Sequence, residues 1–280
     1  MRLGFHVSIQ GGFSLAVPRA LARESDCLQI FSRSPRSWRK PAMSRQEVES
    51  FLIARREAGL KPLAIHTPYL LNLCSSSRSL REKSRRHLLF ELRRGALLGA
   101  EMVVTHVGGS ESPFRDDRRL FSSIEWVLSR APEGCRLLLE NAASPPQGIG
   151  SSLSRLCQVA ISFDAAAGLC LDVAHAFQAG YEIRSRQGVE EALGEMEEAL
   201  GRERLCLLHL NDSKTPLGSG VDRHERIGFG WIGLRGFRAL FGDARLRKFP
   251  GILETPGVSP EDDLAGVRAL RRLLQQDRKC

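Results

Sequence analysis

No Cys-x-x-Cys pair occurs anywhere in the chain, although it carries seven cysteines: Cys27, Cys74, Cys135, Cys157, Cys170, Cys206 and Cys280. An odd count without paired spacing argues against a disulfide framework. Several of these thiols sit inside apolar runs, where cysteine behaves as a small hydrophobe. A reducing, cytoplasmic setting is expected. No apolar segment with a cleavage site follows Met1, so no signal peptide is expected. No stretch approaches the length of a membrane span. There is no linker rich in Pro, Gly or Ser, no low-complexity segment and no close internal repeat. These absences leave one domain over residues 1–280, a length at which α/β barrels fold as a single unit. The net charge of +9 favours a polyanionic partner, nucleic acid first, although a generally basic proteome gives the same number.

What is present is a rhythm. Short apolar runs recur at Leu3–Ser8, Cys27–Phe31, Leu63–Ile65, Met102–Thr105, Arg136–Leu139, Gly168–Leu171, Leu205–Leu208 and Gly251–Leu253. They are continuous rather than alternating, as expected for strands buried on both faces. A helical pattern follows each: to Ala22, then about Gln46–Ala58, Ser79–Leu98, Arg118–Ser129, Leu153–Val159, Val189–Leu200 and Leu234–Phe241. The last helix has a start signal, with Ser259 at the N-cap, Pro260 first and Asp262 placed to return a capping bond; it is expected to run to about Leu274. Eight strand–helix units predict a closed (β/α)8 TIM barrel, with an open doubly wound sheet as the structural alternative.

The third to eighth runs end on His66, His106, Glu140, Asp172, His209 and Glu254. Strand C-termini of such a barrel open onto one face, where active sites lie. Any one of these residues alone reads as a hydrogen-bonded core or cap residue. Six in succession read as one metal cluster. His175, three residues after Asp172, and the Asp222-x-His224 pair join them, making nine imidazole or carboxylate donors. No thiolate belongs to the set, so a Cys-type structural zinc site is excluded. The donors suit catalytic Zn, Mn or Fe, and nine of them match three divalent ions with one bridging carboxylate. His6, near the end of the first run, is placed to support a ligand from behind. His87 reads as a solvated or packing residue.

Gly228-x-Gly-x-x-Gly233 matches a dinucleotide fingerprint, but the residues before it, Asp222 to Ile227, are turn-like. The fingerprint needs a strand there, so a flexible loop is expected instead. Positive charge crowds the loop after the second run, where Arg33, Arg36, Arg39 and Lys40 surround Trp38, while Tyr69 follows His66. Arg and Lys beside aromatics suit a phosphate backbone and an exposed base step; a solvated loop with a packed Trp is the plainer alternative. The basic residues Arg81, Lys83, Arg85, Arg86, Arg93 and Arg94 read as a solvated helix face.

Taken together, Gly4-x-His6-Val-Ser8, Phe31 to Trp38, His66-x-x-Tyr69-x-x-Asn72, and His106 with Gly108 and Ser110 resemble the endonuclease IV family of DNA repair enzymes. So do Glu140-Asn141, Leu171-Asp172-x-x-His175-Ala176, His209 to Lys214, Asp222-Arg-His224, Gly228 to Gly233 and Leu253 to Pro256. The resemblance covers nearly the whole chain. It implies a TIM barrel with three zinc ions, acting as a monomer on double-stranded DNA. It implies His66 and His106 on the first ion and Glu140 bridging to a second ion completed by Asp172, His209 and Glu254. It implies His175, Asp222 and His224 on the third. The implied activity is cleavage 5′ to abasic sites, with the nucleotide flipped into a pocket, and Arg36, Tyr69 and Trp38 belong to the implied DNA surface. Glu140 and Glu254 carry the catalytic assignment. Three departures stand out: Ser34 in the DNA-facing loop, Ala142 to Pro146 after Glu140-Asn141, and Phe229 and Trp231 within the glycine loop. The rival is a sugar isomerase or epimerase on a related barrel, for which Glu140, Asp172, His209 and Glu254 alone would suffice.

Overall fold

The computed structural model describes residues 1–109, 116–143, 148–200, 204–255 and 259–276. Seven strands run in order: β1 (Leu3–His6), β2 (Cys27–Phe31), β3 (Leu63–His66), β4 (Met102–His106), β5 (Arg136–Glu140), β6 (Ala167–Asp172) and β7 (Leu205–His209). Two short ones, β8 (Asp212–Ser213) and β9 (His224–Glu225), precede β10 (Gly251–Leu253). β1 to β7 and β10 pair in parallel and close, with β10 between β7 and β1. The closed barrel is therefore the answer, and the open sheet falls away.

Pleating sends alternate side chains inward and outward. The inward set builds a small core of Cys27, Ala64, Met102, Val104, Leu138, Cys170, Leu207 and Ile252 inside the barrel. The outward set, including Leu63, Ile65, Val103, Leu137, Leu139, Leu169, Leu171 and Leu253, joins the larger core under the helices. Both faces are buried, which is why the runs are continuous rather than alternating.

The helices are α1 (Ala16–Leu21), α2 (Arg45–Glu57), α3 (Arg78–Leu97), α4 (Asp116–Leu128), α5 (Leu153–Ile161), α6 (Val173–Ala179), α7 (Arg186–Leu200), α8 (Gly233–Gly242) and α9 (Pro260–Gln276). Serine caps start α2 and α3, where Ser44 and Ser77 accept the Glu47 and Leu80 amides at 3.1 and 3.4 Å. α9 begins at Pro260 as expected, and Ser259 accepts the Asp262 amide at 3.2 Å. Asp262 differs from the expected capping box. Its carboxylate accepts the Ser259 hydroxyl and an Arg226 N–H rather than the cap's own amide. No helix among the described residues is long and apolar enough to cross a membrane.

Two elements escaped the sequence pattern. α6 is too short for a recognisable period, and the β8–β9 ribbon pairs Asp212 with Glu225 and Ser213 with His224. Both carry proposed ligands. Of the segments singled out above, Ser110, Ser144 to Pro146, Pro256 and Cys280 lie outside the described residues.

Candidate metal centre

The strand-end residues continue the inward set by one more step. His66 follows Ala64 by two, His106 follows Val104, Glu140 follows Leu138, Asp172 follows Cys170, His209 follows Leu207 and Glu254 follows Ile252. A period of two therefore aims all six into the barrel mouth. Glu140, Asp172 and His209 are fully buried there. His66 Nε2 lies 2.9 Å and His106 Nε2 3.4 Å from Glu140 Oε2. The other oxygen of the same carboxylate, Oε1, lies 2.8 Å from His209 Nδ1. His209 Nδ1 also faces Glu254 Oε2 at 3.3 Å and Asp172 Oδ2 at 3.8 Å. Glu140 thus stands between a His66–His106 group and an Asp172–His209–Glu254 group, with one oxygen toward each.

The other three donors arrive from α6 and the ribbon. Asp172 caps α6 by accepting the His175 amide at 2.7 Å, which sets the ring one turn above the carboxylate. His175 Nε2 is 3.2 Å from Asp222 Oδ1 and 3.2 Å from His224 Nε2, and His224 Nε2 is 3.5 Å from Asp222 Oδ1. All nine sequence-predicted donors are therefore gathered at one end of the barrel.

The tautomers follow from the partners, because a carbonyl or carboxylate oxygen can only accept. His66 Nδ1 must donate to the Thr67 carbonyl, and His175 Nδ1 to the Asn141 carbonyl. Each then turns its Nε2 toward the carboxylates. Gln29 Nε2 donates to Glu254 Oε1 at 2.6 Å, so its Oε1 faces His209 Nε2 at 2.9 Å, and that nitrogen donates. His209 Nδ1 is left facing three carboxylates. Ring nitrogens and carboxylate oxygens at such distances need protons or a metal cation between them, so the donor set fits divalent metal. The same hollow draws protons. Burial works against charge on His175, yet the Asp172 carboxylate, the bond to Asp222 and the Glu140 charge outweigh it and push the group up to about 10. Burial opposes charge on Glu140 too, but His106 and His209 hold it well below the usual carboxylate range.

The residues that orient these ligands were not visible in the sequence. Gln29 sits mid-strand in an apolar run, and Asn211 and Asn141 flank ligands without any spacing signal. Asn211 donates to Asp172 Oδ2 at 2.7 Å and accepts the Glu254 amide at 2.8 Å, while Asn141 accepts the Asp172 amide at 2.7 Å. His6 behaves as expected, with Nδ1 3.0 Å from Gln29 Nε2 and 3.3 Å from Glu254 Oε1. Cys170 requires a correction. Its sulfur lies within reach of the Glu140 and His209 ligand atoms, one layer below Asp172. Burial pushes that thiol up to about 12, so without an ion beside it the sulfur stays protonated.

The glycine loop is also corrected. It is not loose: its backbone wraps the buried carboxylate of Asp212, whose oxygens accept the amides of Gly228, Gly230, Ile232 and Gly233 at 2.9–3.2 Å and that of Ser213 at 2.8 Å. A side chain at Gly230 would collide with that carboxylate and with the Ser213 carbonyl. The glycines therefore cradle a carboxylate of this chain. The residues before them include the two-residue strand β9 rather than a bare turn, but it lies in an antiparallel ribbon outside the barrel. Phe229 and Trp231 project from the loop, 71% and 55% exposed, with Arg226 stacked on Phe229 at 4.6 Å.

Above the donors opens a cleft of about 590 Å³, walled by His6, Phe31, Arg36, Tyr69, Arg223 and Thr255 among others. Arg36 and Tyr69 are exposed at its mouth. Ser34 and Pro35 line an adjoining groove of about 580 Å³ that shares His6 and Phe31. Trp38 does not line the cleft. It packs edge-on against His87 at 4.7 Å, with Lys83 over its ring at 4.3 Å. His87 is packed rather than solvated. Burial and the cations Lys40, Arg33, Lys83 and Arg86 push it down to about 4. The basic helix face is likewise only part solvated, since Arg94 is buried.

The chain matches the family described as xylose isomerase-like TIM barrel from residue 19 to residue 276. A probable endonuclease 4 from Methanoculleus marisnigri is 39% identical over 276 residues, covering 97% of this chain and 98% of that relative. Endonuclease IV from Thermus thermophilus superposes with a TM-score of 0.88 at 37% identity, over 99% of this chain and 100% of that one. A D-tagatose 3-epimerase-like protein, 17% identical with a TM-score of 0.75 over 100% of this chain and 99% of its own, shares the fold. Within the xylose isomerase-like TIM barrels, this chain belongs to the endonuclease IV family.

Proposed function

We propose that this chain is a DNA repair endonuclease that hydrolyses the phosphodiester 5′ to an abasic site in duplex DNA. The products are a 3′-hydroxyl and a 5′-deoxyribose phosphate, the incision step of base excision repair. The observation that carries this reading is the His175–Asp222–His224 group beside the strand-end donors. A sugar isomerase or epimerase would use Glu140, Asp172, His209 and Glu254, and would leave that group without a task. In this reading the 280-residue barrel acts as a monomer of one domain, on DNA in the cytoplasm.

Nine donors match three divalent ions, Zn2+ first, with Mn2+ or Fe2+ tolerated by the same residues. Bound there, such ions supply a water ionised near neutral pH and compensate charge on the phosphoryl oxygens. The chain's residues do the rest. Glu140 spans the two strand-end groups. Glu254 is gripped at Oε1 by Gln29 and at its amide by Asn211, and holds the attacking water in line. Tyr69 keeps its proton, because burial and the Glu254, Glu140 and Asp222 charges push it up to about 12, so it donates toward the DNA. Arg36 offers its guanidinium from the neighbouring loop after β2, on which Trp38 packs against His87. Selectivity comes from flipping, since an abasic nucleotide has no base pair to break. The test is a duplex carrying one abasic analogue, incubated with the protein before and after chelation, alongside metal analysis. Metal-dependent incision at the analogue with nearly three ions per chain is expected. No incision, with one or two ions and turnover of a ketose, would establish the rival.

A further inference from the structure

One group of buried charges lies outside the metal centre. Glu91 of α3 is fully buried and binds Arg33 Nε at 2.5 Å and the Ser32 hydroxyl at 2.5 Å. Arg94, one turn on, donates to the Ser32 carbonyl at 2.7 Å and the Pro41 carbonyl at 2.6 Å, which ties the two ends of the loop after β2 together. Arg33 in turn donates to the Ser37 and Arg39 carbonyls inside that loop, and to the neutral His87 ring at 3.0 Å. The loop is thus threaded around two guanidiniums: Arg33 pairs with Glu91 directly, and Arg94 is linked to it through the Ser32 hydroxyl, which accepts Arg94 Nε at 3.1 Å and donates to Glu91. Burying such charges gains little stability over apolar residues of the same size. What the arrangement does provide is a fixed backbone from Ser32 to Pro41, with Arg36 exposed at the cleft wall.

We infer that Glu91, Arg33 and Arg94 form a lock that pre-orders this loop, so that Arg36 meets the DNA backbone without a further ordering cost. Glu91 is a positioning residue: it touches neither substrate nor ligand and acts through Arg36. Pre-ordering lowers the entropy lost on binding. It affects duplex capture and leaves the hydrolytic step alone. The inference rests on the nuclease reading for its partner, but not for the lock itself.

The test uses the metal-loaded full chain and a duplex with one abasic analogue. Glu91→Gln and the milder Ser32→Ala, which leaves the Arg33–Glu91 pair in place, should each raise KM on the order of ten-fold with kcat within about three-fold, the signature of lost ground-state binding. Trypsin should cut after Arg36 and Arg39 on the order of ten-fold faster in both variants, reporting the loosened loop directly. Arg36→Ala combined with either variant should bind the duplex no worse than Arg36→Ala alone, because the effects run through one side chain. Additive losses, a fall in kcat at constant KM, or unchanged trypsin resistance would overturn the lock. Should the wild-type protein incise nothing, the nuclease reading fails, while the trypsin comparison still decides whether the loop is locked.

Discussion

His175 and His224 meet Nε2 to Nε2 at 3.2 Å, with Asp222 Oδ1 in reach of both. They come from separate units, α6 after β6 and the ribbon strand β9 after β7. His175 spends its Nδ1 proton on the Asn141 carbonyl, so Nε2 is the nitrogen it turns to Asp222 and His224. An arrangement of two imidazole nitrogens and a carboxylate oxygen facing one point has the chemistry of a cation site. Asp222→Ala should therefore lower the metal content by one ion per chain and cut incision at least about a hundred-fold. The Asp222 side chain is 59% exposed, so the thermal midpoint of the metal-free protein should barely move. Elemental analysis and a gel assay check both, and a fully active variant would show that the loop is misassigned.

Chelation should abolish incision, and zinc should restore it. It should also destabilise the fold by about 3 kcal/mol or more, because ions that bind only the native state stabilise it by mass action. Buried Glu140 and Asp172 lose their counter-charges when the ions leave. Calorimetry with and without chelator measures the difference.

Gln29→Leu removes the acceptor of His209 Nε2–H and a donor to Glu254 in a single step. Loss of such an orienting partner costs about 10–100-fold in metal affinity. Zinc release to a chromophoric chelator should accelerate accordingly, while Leu fills the same buried volume.

Asp212→Ala would strip five backbone amides of their acceptor. Water can reach some of them, so a loss of about 3–5 kcal/mol is expected, measured by urea unfolding. Because Asp212 and Ser213 pair with the strand carrying His224, metal content should fall as well. Gly230→Ala should reproduce the defect from the other side of the same contact.

His87 makes stability depend on pH. Its folded value of about 4 lies below the ordinary 6.5, so the unfolded chain binds its proton more readily. The contribution is fully present above pH 6.5 and is lost as the pH falls toward 4, up to about 3 kcal/mol. The cations facing it are Lys40, Arg33, Lys83 and Arg86. Urea midpoints at pH 7.5 and 5, compared between wild type and His87→Gln, should show a smaller drop in the variant.

The barrel and the gathering of six strand-end donors at its mouth were legible because both depend on local periodicity. Continuous apolar runs declare strands buried on two faces, and His66, His106, Glu140, Asp172, His209 and Glu254 each stand two residues past an inward core position. That parity is a property of the chain alone, and it already aimed six donors at one mouth. Gln29, Asn141 and Asn211 were hidden for the opposite reason. An amide's task depends on which atoms close around it, and no spacing encodes that. The glycine loop misled because its pattern states only that backbone must pass close to something. Folding supplied Asp212 as that something. Arg33 reads in the sequence as one more cation of the DNA-facing loop until α3 sets Glu91 and His87 against it. Sequence thus determined the architecture and the donor set, through pleat and pattern. Only the tertiary structure decided which nitrogen of His66, His175 and His209 turns to the carboxylates, which carboxylate stands between two groups, and which basic residues are buried struts rather than free surface charge. Those outcomes turn on ångström-scale contacts between elements far apart in the chain.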